Sequence, residues 1–318
     1  MNNREWFREA KFGLMSHFGL YSVLDGYYKG KTCNEWARRD HTIPYDEYHS
    51  LAKTFNPIYL DTDEWIRRAK DAGMKYYVLT AKHHEGFALF KSKVSQFNVV
   101  DATPYGKDIV GMFAESCYKY GLKFGVYYSQ DLDWDDVNAG GTVPTKYCEK
   151  AANFWDFDTP FEKRDFSKYF NEKVKPQVAE LLTNYGDICL IWFDCPWTIT
   201  KEQSVELYDF VKSYQSECLV SSRLGNGIGD YGSGGDNEED MKSNGGLAEA
   251  PCTLSGTGCW CYSTFDLKYK TADEVIDLKN SLNDRGCNLL LNIGPDHLGR
   301  IPMGAIEVLD DLAKKNIK

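Results

Sequence analysis

Ile188-Cys189-Leu190-Ile191-Trp192-Phe193-Asp194 is the stretch on which the reading of this chain turns. Six apolar residues in a row, rich in β-branched and aromatic types, describe a strand buried on both faces. Asp194 follows at its C-terminal end, where a carboxylate is costly to bury unless something pairs with it or uses it. In a parallel α/β barrel, that end is where reacting groups gather. Two uses fit Asp194. It caps a helix or pairs with an arginine, or it is one half of the carboxylate pair of glycoside hydrolysis. Glu249, on a later segment, is the candidate for the other half.

The flanking sequence alternates in the same manner. Strands are expected at 12–16, 75–80, 122–128, 218–222 and 288–294. Helices are expected at 63–72, 108–120, 170–185, 202–213, 271–283 and 302–315, several of them closed by glycine. Alternating strands and helices imply a parallel sheet with helices outside. Seven or eight strands in this length favour a closed (β/α)8, TIM-like barrel over an open doubly wound sheet. The G-x-G-x-x-G that marks the open sheet is missing after the first strand. The glycines between Gly225 and Gly235 read as a mobile loop. With no repeat and no low-complexity linker, residues 1–318 are expected to form one catalytic barrel domain.

The chain is 42% hydrophobic and 14% aromatic, with 21 Tyr, 17 Phe and 8 Trp, enough for a large core and for stacking on sugar rings. A net charge of −10 argues against nucleic acid. No stretch of 18 apolar residues occurs, so no membrane partner is expected. Met1-Asn2-Asn3-Arg4-Glu5-Trp6 lacks the apolar core of a leader, and the ten cysteines are scattered; both fit a cytoplasmic location with reduced thiols.

The strand ends are polar. Ser16-His17-Phe18-Gly19 and Lys82-His83-His84-Glu85-Gly86-Phe87 follow two of them, and Asp194, Arg223, Glu249 and Asn292 end later ones. Histidines meeting carboxylates at one face form either a metal site or a polyol site. The spacing is not H-E-x-x-H, so hydroxyl recognition is favoured and no metal is expected. Glu35-Trp36 is either an anchored loop or a carboxylate beside an aromatic platform.

These pieces together resemble family 29 of the glycoside hydrolases, the α-L-fucosidases. The matching segments run in order. They are Trp6-Phe7, Lys11-Phe12-Gly13 through Ser22, Glu35-Trp36, Ala72-Gly73 with Lys75-Tyr76, Lys82 to Phe87, Gly125 to Ser129, Trp192-Phe193-Asp194 and Asn288 to Pro295. The resemblance implies a retaining exo-glycosidase acting on fucosylated oligosaccharides or glycoconjugates, without a cofactor; the C-terminal β-sandwich of many relatives is not expected. It implies Asp194 as nucleophile and Glu249 as acid/base, with Asp236, Glu238, Glu239 and Asp240 as the alternatives shortly before it. The fucose pocket would be His17, Glu35, Trp36, His83, His84, Tyr127, Trp192 and Arg223, with Trp260 as a wall. Phe18 stands where tryptophan is common, Glu85 where aspartate is, and Cys261 where glycine is. A barrel acting on a related galactoside, and a fucose-binding barrel without activity, are the alternatives. Small apolar neighbours of Glu249 would raise its pKa, as an acid requires.

Overall fold

In a computed structural model, residues 2–143, 153, 160–266 and 268–315 are described. Eight parallel strands form one sheet: β1 Phe12–Ser16, β2 Tyr76–Lys82, β3 Lys123–Tyr128, β4 Ile188–Phe193, β5 Leu219–Val220, β6 Gly232–Ser233, β7 Ala248–Thr253 and β8 Asn288–Asn292. Their spatial order is β5-β4-β3-β2-β1-β8-β7-β6. A parallel bridge between Ser221 and Tyr231 joins the two outer strands and closes the ring. The expected TIM-like barrel is therefore present.

Helices at Thr62–Asp71, Ile109–Tyr120, Lys175–Asn184, Lys201–Tyr214, Ala272–Asp284 and Met303–Lys314 pack outside. Their starts follow from local chemistry. Thr200 with Gln203, and Thr271 with Glu274, form capping boxes that satisfy orphan N–H groups. The helix expected from residue 170 begins instead at Phe166, and its turn Phe170–Val174 is a π-turn. Among the described residues, no helix is long and apolar enough to cross a membrane.

Two apolar layers result from strand alternation. Leu14, Tyr77, Leu79, Val126, Ile191, Phe193 and Leu291 face the helices. Met15, Tyr76, Val78, Tyr127, Leu190, Trp192, Leu219 and Leu290 fill the barrel. An irregularity in the β3–β4 register lies between Phe124 and Val126. Gly125 makes it possible, since a Cβ there would meet Leu190 at 2.9 Å. Leu190 and Trp192 then point inward, and so does Asp194 two residues on.

The seam between β5 and β6 is short, and charge reinforces it. Asp230 accepts from the Val220 backbone at 3.0 Å and from Tyr208 at 2.9 Å. It also pairs with Lys212 at 2.7 Å and with Arg4. The strand Gly232–Ser233 replaces part of the expected mobile loop.

Candidate active site

Asp194 leaves β4 at the C-terminal rim, and the chain turns at once, with Cys195 at φ 49°. Its backbone N–H donates to Gln130 at 2.9 Å. Tyr127, at the end of β3, donates to Oδ2 at 2.9 Å, and Arg223 donates to Oδ1 at 2.9 Å. Burial works against ionisation of Asp194. The Arg223 guanidinium and the Arg223 and Tyr127 hydrogen bonds outweigh it and hold the carboxyl below its ordinary range.

The histidines are kept neutral. Burial lowers His17 and His84 to about 4 and His83 well below its usual value. Ser129 spends its proton on the Leu132 carbonyl, so its Oγ accepts from His84 Nδ1 at 2.7 Å. His84 Nε2 is then an acceptor, 3.6 Å from Asp194. Asn292 donates its amide to the Trp260 carbonyl, so its Oδ1 faces His17 Nδ1 at 2.8 Å and leaves His17 Nε2 an acceptor too.

Aromatic rings tie these groups together. His17 lies 5.1 Å from Trp260 and 5.5 Å from His83, His83 stacks on Tyr127 at 5.5 Å, and Trp36 is 4.9 Å from His84. Trp192 stacks on Tyr127 at 5.4 Å and carries Arg223 at 4.5 Å. Glu35 is buried, and its carboxylate accepts from its own N–H and that of Cys261. Burial, with the negative charge of Asp236 adding to it, raises Glu35 to about 7. Glu35 Oε2 and His83 Nδ1 are both buried without a partner. Orphaned polar atoms of this kind are what a hydroxylated ligand would satisfy.

Glu249 does not join this group, which corrects the expectation that it ends a strand. It is the second residue of β7, about 13 Å along that strand from Thr253 at its C-terminal end. Ala248, Ala250 and Cys252 face the helices, so Glu249 points into the barrel. There it accepts from Tyr76 at 2.6 Å and Trp192 at 3.0 Å. Its pKa is raised by burial to about 7, as expected. Its charge, however, is felt at Tyr76, Tyr231 and Cys189, not at the rim histidines.

The carboxylate that does reach the rim is Asp236, one of the alternatives to Glu249. Arg223 binds it at 2.6 Å through Nη2 while holding Asp194 through Nη1. Its charge reaches His17, Glu35 and Cys195. Glu238 turns back to the Gly235 N–H at 2.6 Å, and Glu239 pairs with Lys270 at 3.2 Å. Phe18, where tryptophan is common, packs on Phe55 at 5.1 Å in the outer layer. Glu85 anchors the loop after β1 through Leu20 N–H and Tyr48.

One group among the described residues has metal-ligand spacing: His84, Asp194 and Cys195. Burial and the charge of Asp194 push the Cys195 thiol well above its usual range, so it stays protonated and is a poor ligand. Arg223 and Tyr127 already occupy Asp194.

The sequence model of the family described as Alpha-L-fucosidase matches residues 1–315. Curated relatives include a putative alpha-L-fucosidase of Caenorhabditis elegans, 28% identical over 97% of this chain, and the human tissue alpha-L-fucosidase, 28% identical over 93%. The chain spans 64% of the length of each. Among solved structures, alpha-L-fucosidase AlfC from Lactobacillus casei in complex with α-L-fucose product superposes with a TM-score of 0.91 at 46% identity. The match covers 99% of this chain and 97% of that one. An AlfC mutant in complex with Fuca(1,6)GlcNAc matches with a TM-score of 0.92 at 45% identity, over 99% and 98%.

Proposed function

Because the chain belongs to the α-L-fucosidase family, we propose that it hydrolyses terminal α-L-fucosyl linkages with retention, by double displacement and without a cofactor. Asp194 is the nucleophile. Asp236, rather than Glu249, is the acid/base. The observation that carries this assignment is the Arg223 guanidinium held between the two carboxylates. One side chain touching both places the two carboxyls at the same edge of the pocket. Glu249 is too deep for that.

In the first step Asp194 attacks the anomeric carbon while Asp236, protonated, gives its proton to the departing oxygen. In the second step Asp236 takes a proton from water, which releases the sugar. Arg223 and Tyr127 keep Asp194 ionised before attack. Neutral His17 and His84 offer lone pairs to sugar hydroxyls, and Glu35 Oε2 and His83 Nδ1 gain partners. Trp36, Trp192 and Trp260 supply apolar walls. The likeness to AlfC makes Fuca(1,6)GlcNAc the first natural linkage to test.

A panel of nitrophenyl glycosides tests the substrate, with α-L-fucoside expected far above any galactoside. Azide tests the roles. Asp194→Gly with azide should yield the fucosyl azide of inverted anomer. Asp236→Ala should lose activity mainly on poor leaving groups and yield the azide of retained anomer. Undiminished turnover in either variant removes its assignment.

A further inference from the structure

Glu249 is a carboxylate sealed inside a barrel, with no role in the chemistry above. What it touches gives it one. Its Oε1 accepts from the Trp192 indole at 3.0 Å, and its Oε2 from Tyr76 at 2.6 Å. The same indole packs against Arg223 at 4.5 Å and against Tyr127 at 5.4 Å with 20° between the rings. Arg223 and Tyr127 are the two side chains that bind the Asp194 carboxylate, each at 2.9 Å. One indole therefore stands between a buried acid and both partners of the nucleophile.

We propose that Glu249 is a positioning residue: by holding the Trp192 indole it sets Arg223 and Tyr127 on Asp194. This rests on the reading of Asp194 as nucleophile.

The chemistry of the contact makes it depend on charge. Ionised Glu249 offers acceptors to both donors. Protonated, it carries a proton of its own between an indole N–H and a phenol. A carboxylate on the indole N–H also makes the ring more electron-rich, which strengthens its hold on the guanidinium. The groups facing Glu249 are Tyr76 on β2, Cys189 on β4, Tyr231 ahead of β6 and, further off, the Arg223 charge. The phenols are pushed far up by burial, as is the thiol. Glu249, raised to about 7, is thus the member of the cluster that changes charge near neutrality.

The test compares wild type with Glu249→Gln from pH 5.5 to 8.5, on aryl α-L-fucosides with good and poor leaving groups. The expected result is a fall in kcat with little change in KM. It should be small at pH 5.5, grow to about tenfold by pH 8.5, be equal for both leaving groups and be unaffected by azide. A loss confined to poor leaving groups and restored by azide would make Glu249 the acid/base and overturn the proposal. A loss independent of pH, or no loss, would reduce Glu249 to packing and overturn it too. A second readout needs neither activity nor a folded glutamine variant. In unliganded wild-type protein, the Trp192 indole ¹H–¹⁵N resonance, identified by its disappearance in Trp192→Phe, should titrate near pH 7; a flat resonance overturns the coupling. If wild type cleaves no fucoside while the indole titrates, the catalytic reading fails and the contact stands.

Discussion

Replacing Glu35 with glutamine should make the protein more stable and less active, and the size of the first effect follows from the site. Glu35 is buried, and its pKa rises from 4.5 to about 7, chiefly because burial penalises the charged form. Each pKa unit is worth about 1.4 kcal/mol, so ionising Glu35 in the empty pocket costs on the order of 3 kcal/mol. The native state holds the proton more tightly than the unfolded chain. Below pH 4.5 both are protonated and nothing is lost. Stability drains away as pH rises from about 4.5 to about 7 and stays lower above that. Glutamine keeps the shape and removes the charge. Unfolding a chain of 318 residues releases roughly 0.7 kcal/mol per degree, so Tm of Glu35→Gln should exceed wild type by about 4–5 °C at pH 8 and match it at pH 4.5. Thermal unfolding followed by circular dichroism across this range reads the difference. In parallel, kcat/KM on an α-L-fucoside should fall by about tenfold or more, the loss of a buried hydrogen bond to substrate. A Tm difference constant across pH, or a variant less stable at pH 8, would refute the reasoning.

Tyr127→Phe removes one of two side-chain donors to Asp194 without changing ring packing; kcat should fall about ten- to a hundredfold while the fold persists by circular dichroism. Lys82→Met strips a fully buried ammonium from Asp133, 2.8 Å away, and leaves Lys173 to hold that charge alone. Urea unfolding should register a loss of about 3 kcal/mol, and a loss below about 1 kcal/mol would show the pair to be dispensable. Exhaustive chelation should leave activity unchanged; recovery that depends on added zinc or manganese would reassign His84, Asp194 and Cys195 as ligands.

The barrel was legible where both faces of a strand are apolar. Ile188–Phe193 and Asn288–Asn292 announce themselves because every side chain is buried. Gly232–Ser233 does not, being two small residues held by pairing to Ala248 and Glu249. Ala248–Thr253 hides its nature behind Pro251 and a buried Glu. That strand also explains why Glu249 was expected at the rim. Residue order tells which side chains alternate inward, but not how far along the barrel axis each one lies. Four residues of register separate Glu249 from the rim. Asp236 ranks in the sequence only as one of four alternative carboxylates for the opposite reason: a Gly-Gly-Asp-Asn stretch looks like solvated loop, and only the fold brings Arg223 across to it. The histidine cluster was readable because it follows strand ends directly. Its orienting partners, Ser129 and Asn292, and Gln130, which holds the Asp194 backbone, are polar residues of ordinary type that carry no sequence signal of their task.

The seam at Asp230 sets how this barrel breathes. Elsewhere neighbouring strands pair at two or more positions, but β5 and β6 meet through one bridge and a carboxylate gripped by Arg4, Lys212 and Tyr208. Amide exchange should therefore begin there, at a free energy below that of global unfolding. Arg223 sits just after β5 and Asp236 just after β6. An opening of the seam would part Arg223 from Asp236 while the rest of the ring stays shut, and so break the bridge between the two carboxylates proposed to act. Fraying at this one stave would undo the proposed site long before the cask leaks.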